Sequence, residues 1–229
     1  MRRLITNLKN MLAPSAVGDA DGFFVEGMKA FEKGNYPEAV KWFHKAADQG
    51  DAQAQYHLGV MCEDGCGVAQ NDTEAANWYR KAAEQGDARA QANLGVMYFN
   101  GKGVDKSNDE AMNWYRKAAE QGNAPAQYNL GMMYYHGQGV QQNYIEAVNL
   151  YRNAAEQGNV RAQIILGMIY FLGQCVPKSR VMAYMWFSIA AEQGDAGAVK
   201  ERNLLMSLLT PAQIAEAQKL ASEWRPKKQ

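Results

Sequence analysis

The sequence predicts an all-α protein, an α-solenoid of antiparallel helix pairs. Two observations carry this. A phrase returns five times at a step of 36 residues: Gln49-Gly50-Asp51, Gln85-Gly86-Asp87, Gln121-Gly122-Asn123, Gln157-Gly158-Asn159 and Gln193-Gly194-Asp195. The same step joins Trp42 to Trp78, Trp114, Leu150 and Trp186. Self-similarity at such a period marks a repeat array, whose units bury their apolar faces against their neighbours. The second observation is the periodicity inside one unit, which is helical throughout and interrupted by a glycine-rich loop.

Taken in chain order, residues 1–20 form an N-terminal segment. Arg2 and Arg3 resemble the charged start of an export signal, but Thr6, Asn7, Lys9 and Asn10 interrupt the stretch that follows. Leu4, Ile5, Leu8, Met11 and Leu12 share one helical face, which reads as a short capping helix. A weak export signal or a basic membrane-surface helix is the alternative. Pro14 to Asp21 reads as a linker.

Residues 21–50 read as a shorter helix pair. Four units of 36 residues then fill 51–194. In the first, Gly50 suits the left-handed position that ends a helix, and Asp51 can cap the next. Helix A runs from about Ala52 to Glu63, with Ala54, Leu58 and Met61 or Cys62 on one apolar face. Gly65-Cys66-Gly67 breaks it, Val68 anchors the loop, and Asn71 or Asp72 caps helix B, which carries Ala75, Trp78, Tyr79, Ala82 and Ala83. Gly59, Gly95, Gly131 and Gly167 recur in mid-helix, where glycine costs ~1 kcal/mol against alanine, so close helix contact is expected there. The tryptophans are expected to fill the space between pairs. In 195–229, Thr210-Pro211-Ala212-Gln213 is a helix start with a capping-box glutamine, and the helix to Trp224 is expected to cover the last repeat before a polar tail.

Ala54, Leu58-Gly59, Gly65, Gly67, Ala75, Trp78-Tyr79 and Ala82-Ala83-Glu84-Gln85-Gly86 together resemble the Sel1-like repeat family, a relative of the tetratricopeptide repeats. Two further copies follow, from Ala90 to Gly122 and from Ala126 to Gly158. A fourth is weaker, with Cys175 in place of the second loop glycine. The first pair, with Gly34-Asn35-Tyr36, resembles an ordinary tetratricopeptide repeat. The resemblance implies a right-handed, tetratricopeptide-like superhelix and a non-enzymatic adaptor role. Some cysteine-rich relatives are linked to peptidoglycan or β-lactam binding, but their regularly spaced cysteines are absent from this sequence.

Several chemistries are disfavoured. Lys plus Arg equals Asp plus Glu, 24 each, which argues against an electrostatic nucleic-acid binder. The apolar run from Ile164 to Leu172 is far short of the ~20 residues of a membrane span. Gly101-Lys102-Gly103 lacks the strand-to-helix setting of a phosphate loop. His44, His57 and His136 have no metal spacing and read as surface or groove residues. No metal and no cofactor is expected. Three cysteines without paired spacing, Cys62, Cys66 and Cys175, read as free thiols in a reducing compartment. A cytoplasmic protein is therefore expected, an exported one if the N-terminal segment is a signal.

In tetratricopeptide-type arrays the A helices line the concave side. By register from the mid-helix glycine, that side reads Phe24, Met28 and Phe31; Tyr56, Val60 and Glu63; Ala92, Val96 and Phe99; Tyr128, Met132 and Tyr135; Ile164, Met168 and Phe171. Arg89, Asn100, His136 and Arg161 stand at its edge. This apolar, aromatic and methionine-containing stripe is either core or a groove for an apolar or amphipathic peptide. The expected site is accordingly Tyr56, Val60, Val96, Phe99, Tyr128, Met132, Tyr135, His136, Ile164, Met168 and Phe171, facing a protein or peptide partner on a monomer.

Overall fold

Gly50 and Asp51 stop one helix and start the next. Gly50 takes φ of +90°, and Asp51 Oδ1 accepts the Ala54 amide at 2.6 Å. Asp87, Asn123, Asn159 and Asp195 cap in the same way. The computed structural model describes residues 19–224. Among them are twelve helices and no strand: α1 Asp19–Glu32, α2 Tyr36–Asp48, α3 Ala52–Asp64, α4 Asp72–Glu84, α5 Ala88–Asn100, α6 Asn108–Glu120, α7 Ala124–His136, α8 Tyr144–Glu156, α9 Val160–Leu172, α10 Arg180–Glu192, α11 Ala196–Met206 and α12 Pro211–Glu223. The fold is an α-solenoid of helix pairs. Asp19 to Asp21 are the first turn of α1 and not a linker. The rest of the expected N-terminal segment and the tail beyond Trp224 lie outside the described residues.

The A-to-B loops repeat one construction. Gly65, Gly101, Gly137 and Gly173 end their helices in the left-handed conformation. The cap of helix B then bonds back to helix A: the amides of Asn71, Ser107, Asn143 and Ser179 donate to the carbonyls of Cys62, Tyr98, Tyr134 and Tyr170 at 2.9–3.0 Å. Val68 and Val176 pack beneath their loops.

The chain divides into two units, Met1–Ala111 and Met112–Gln229. In the first, α1 pairs with α2 and α3 with α4, and α2–α3 and α4–α5 join successive pairs. The core there centres on Phe43, Leu58 and Met61. In the second, α7 pairs with α8 and α9 with α10. The helix α12, entered through a Thr210–Gln213 capping box, lies on α10. Covered on several sides, α10 is buried without a break from Ala183 to Ala191. Trp224 meets Trp186 edge-on at 5.9 Å.

The mid-helix glycines are notches for rings. A Cβ added at Gly27, Gly59, Gly131 or Gly167 would stand 2.5–2.8 Å from the ring of Phe43, Tyr79, Tyr151 or Phe187 respectively. These rings follow the repeat's tryptophan position by one residue; of the tryptophans themselves, Trp186 is buried in the core as expected. Trp42, Trp78 and Trp114 are half-buried instead, each with a lysine ammonium 4.1–4.2 Å over its ring, from Lys45, Lys81 and Lys117. One residue along a helix is a turn of about 100°, so only one of two adjacent rings can enter the notch.

Candidate functional site

Repetition places the residues at 59 − 3, 59 + 1 and 59 + 4, and their equivalents, on one side of each A helix. In the first unit Tyr56 and Val60 of α3 and Val96 and Phe99 of α5 are all half-buried, while Ala92 is buried. Polar groups cover part of this face. Arg89 lies 4.3 Å over the Tyr56 ring and pairs with Asp87 at 2.6 Å. Glu63 Oε1 meets Lys102 Nζ at 3.1 Å, and Lys102 also reaches Asp72 at 3.2 Å. From beneath, the Tyr79 hydroxyl donates to Glu63 Oε2 at 2.8 Å. Burial, followed by the charge of Glu63 and this bond, pushes the Tyr79 phenol up.

The second unit presents a different face. Tyr128, Met132 and Tyr135 on α7, and Ile164 and Phe171 on α9, are half-buried; Met168 is 46% exposed and Leu172 is 52% exposed. Tyr128 and Tyr135 rest on Tyr151 at 5.9 and 6.5 Å between ring centres. Tyr144 and the exposed His136 each meet Tyr135 edge-on at 5.1 Å. The Tyr135 hydroxyl donates to Gln174 Oε1 at 2.6 Å. Neither α7 nor α9 carries an acidic residue, and Arg161 is the one Lys or Arg in the two helices. Each of the expected site residues thus lies on an A helix, in two groups that belong to separate units.

Two features escaped the sequence reading. His57 is neither surface nor groove. It is 2% exposed, stacked on Phe43 at 5.2 Å and surrounded by Phe24, Phe31 and Tyr56. Its Nε2 has no hydrogen-bond partner. Burial first, and then Arg89, lowers its pKa to about 4. The second feature is a glutamine series, Gln55, Gln91, Gln127 and Gln163, buried near the start of each A helix. Its signal in the sequence is its recurrence at the 36-residue step.

Cys62 is buried and Cys175 exposed, all three cysteines are free, and burial followed by Glu74 pushes the Cys62 thiol up to about 11. Among the described residues, no group of three or more His, Cys, Asp or Glu is placed to hold a metal, and no helix is long and apolar enough to cross a membrane.

Comparison with known proteins agrees with the geometry. The chain is similar to the solved structure of a protective antigen present in uropathogenic Escherichia coli strains that displays an SLR fold. The two are 37% identical, with a TM-score of 0.83, over 90% of this chain and 45% of that one. It is also similar to a Sel1 repeat protein from Oxalobacter formigenes, 38% identical, with a TM-score of 0.72, over 80% of this chain and 71% of that one. A stretch of 48 residues is 46% identical to chitin synthase regulatory factor 3 of Schizosaccharomyces pombe, 21% of this chain and 5% of that protein. The chain thus spans less than half of the E. coli structure and a small part of the yeast factor. The Sel1 repeat profile matches 26–51, 52–87, 88–123, 124–159 and 160–195. The first match covers the second half of α1 and all of α2. With five consecutive repeats matched across most of its length, the chain belongs to the Sel1 repeat family.

Proposed function

We propose that the protein is a non-enzymatic adaptor that holds a peptide or protein partner on the concave, A-helix side of its repeats, acting as a monomer. Sel1 repeat proteins generally serve as protein-interaction scaffolds, and this chain is built of five such repeats. One observation carries the finer reading: Met132, Tyr135, Ile164, Met168 and Phe171 stand half-open on α7 and α9. Aromatic side chains in that state give an interface large apolar anchors, and methionines adapt to the shape laid against them.

The test is affinity capture with identification of the partner by mass spectrometry, followed by titration of the purified pair. Tyr135→Ala and Phe171→Ala are each expected to weaken binding by ~2 kcal/mol, roughly thirtyfold, with the far-ultraviolet spectrum unchanged. Unchanged affinity in both variants would place the partner elsewhere.

A second reading is a binding protein exposed outside the cytoplasm. The description of the E. coli relative as a protective antigen supports it. Fractionation of the native host, with the mass of the mature chain, separates the two: material confined to the cytosol with an intact N-terminus would refute export.

A further inference from the structure

Every carboxylate that holds a cation beside the A-helix face of unit 1 has been exchanged for a neutral group in unit 2. In unit 1 Arg89 pairs with Asp87, and Lys102 with Glu63 and Asp72, at 2.6–3.2 Å. Moved on by two repeats, Asp87 becomes Asn159, Glu63 becomes Tyr135 and Asp72 becomes Tyr144. Asp105, next to Lys106 in the chain, becomes Pro177. Two of the cations have stayed. Arg89 returns as Arg161 and Lys106 as Lys178, while Lys102 gives way to Gln174. From Gln157 to Ala191 the chain holds no aspartate or glutamate. Arg161 and Lys178 are both exposed, and among the described residues neither enters an ion pair.

Both charges border the apolar stripe. Arg161, Ile164, Met168 and Phe171 follow one another at helical spacing along one side of α9. At the far end the Lys178 ammonium stands 5.8 Å over the Phe171 ring. Arg161 and Phe171 are separated by about 15 Å of helix rise. An apolar segment laid along this stripe therefore meets a guanidinium at one end and an ammonium at the other. A lysine or arginine on it would find no carboxylate on α7 or α9. An aspartate or glutamate would find the partner that Asp87 finds in Arg89. Resting on the reading of this face as the binding surface, we propose that it takes an acidic, apolar peptide segment. Apolar side chains of the segment lie on Met132, Met168 and Phe171, and its carboxylates pair with Arg161 and Lys178. An extended chain covers about 15 Å in roughly five residues, so the two acidic positions stand about that far apart in its sequence.

The experiment uses the full chain, immobilised at pH 7.5 in low salt, and a displayed library of random dodecapeptides. The relevant peptides are those retained by the native protein and lost on Phe171→Ala, or on Met168→Ala at the more exposed position. In that pool aspartate and glutamate should rise about threefold above the input library, the effect of one exposed ion pair. The enrichment should vanish from the pool retained by the double variant Arg161→Gln, Lys178→Gln. Both positions are exposed, so an unchanged melting temperature is expected for that variant. If the native pool holds acidic residues at or below input frequency, or if their enrichment survives the loss of both cations, the charge selection is wrong while the binding face stands. If neither Phe171→Ala nor Met168→Ala removes any peptides, the binding face itself fails, and the selection with it.

Discussion

At the scale of single residues, His57 makes the molecule acid-sensitive. Its imidazole is sealed among Phe24, Phe31, Phe43 and Tyr56, and its pKa falls from the ordinary 6.5 to about 4. The unfolded chain therefore takes up this proton at higher pH than the folded one does. The stability linked to His57 is fully present above about pH 6.5 and is lost as pH falls through 6.5 towards 4, by ~3 kcal/mol in all. Urea unfolding of the native chain and of His57→Phe across that window checks this. The steepening loss of stability in the native chain should be absent from the variant, whatever common slope the carboxylates add. The sequence did not disclose this burial. His57 lies between Tyr56 and Leu58 on an amphipathic helix, and its surroundings come from α1 and α2, whose rings approach only after folding. Asp51 and Gly50 were legible because a cap is settled within about four residues of chain.

At the scale of elements, successive helix pairs are joined by a ladder of side-chain amides. Gln163 Nε2 donates to the Ala155 carbonyl at 3.1 Å, and its Oε1 accepts from Gln193 Nε2 at 2.8 Å. Gln127 repeats this with Ala119 and Gln157, and Gln55 with Ala47 and Gln85. Each of these three glutamines thus links the end of the preceding B helix to the end of the B helix that follows. Replacing Gln163 removes both bonds, leaving the buried Ala155 carbonyl with the Gly158 amide and returning the exposed Gln193 amide to water. Gln163→Leu should cost ~1–3 kcal/mol, measured by chemical denaturation. Adding Gln193→Leu should cost less than a second independent loss, because the partner is already gone. Read by helical periodicity alone, these glutamines pass as polar surface. Only their repetition at a fixed step marks them as structural, and the bond connects residues 30 apart.

At the scale of the whole molecule, the fold was legible because the sequence states the same instructions five times. The A-helix face was legible as a register but not in its chemistry. The Glu63–Lys102 and Tyr135–Gln174 pairs span one repeat plus three residues, a spacing that no local pattern reveals. The amide ladder has a further consequence, for how such a chain can change its length. Removing 52–87 would bring Asp51 directly before Ala88-Arg89-Ala90-Gln91, restoring both the cap and a glutamine facing Ala47. Removing 18 residues from the same region would restore neither. The shortened chain should still unfold cooperatively, at a lower temperature because one nearest-neighbour interface is lost, whereas the half-step deletion should give no sharp thermal transition. Growth and shrinkage of this protein are therefore quantised: its gene can count in whole repeats, and intermediate lengths are filtered out by misfolding before any partner can select among them.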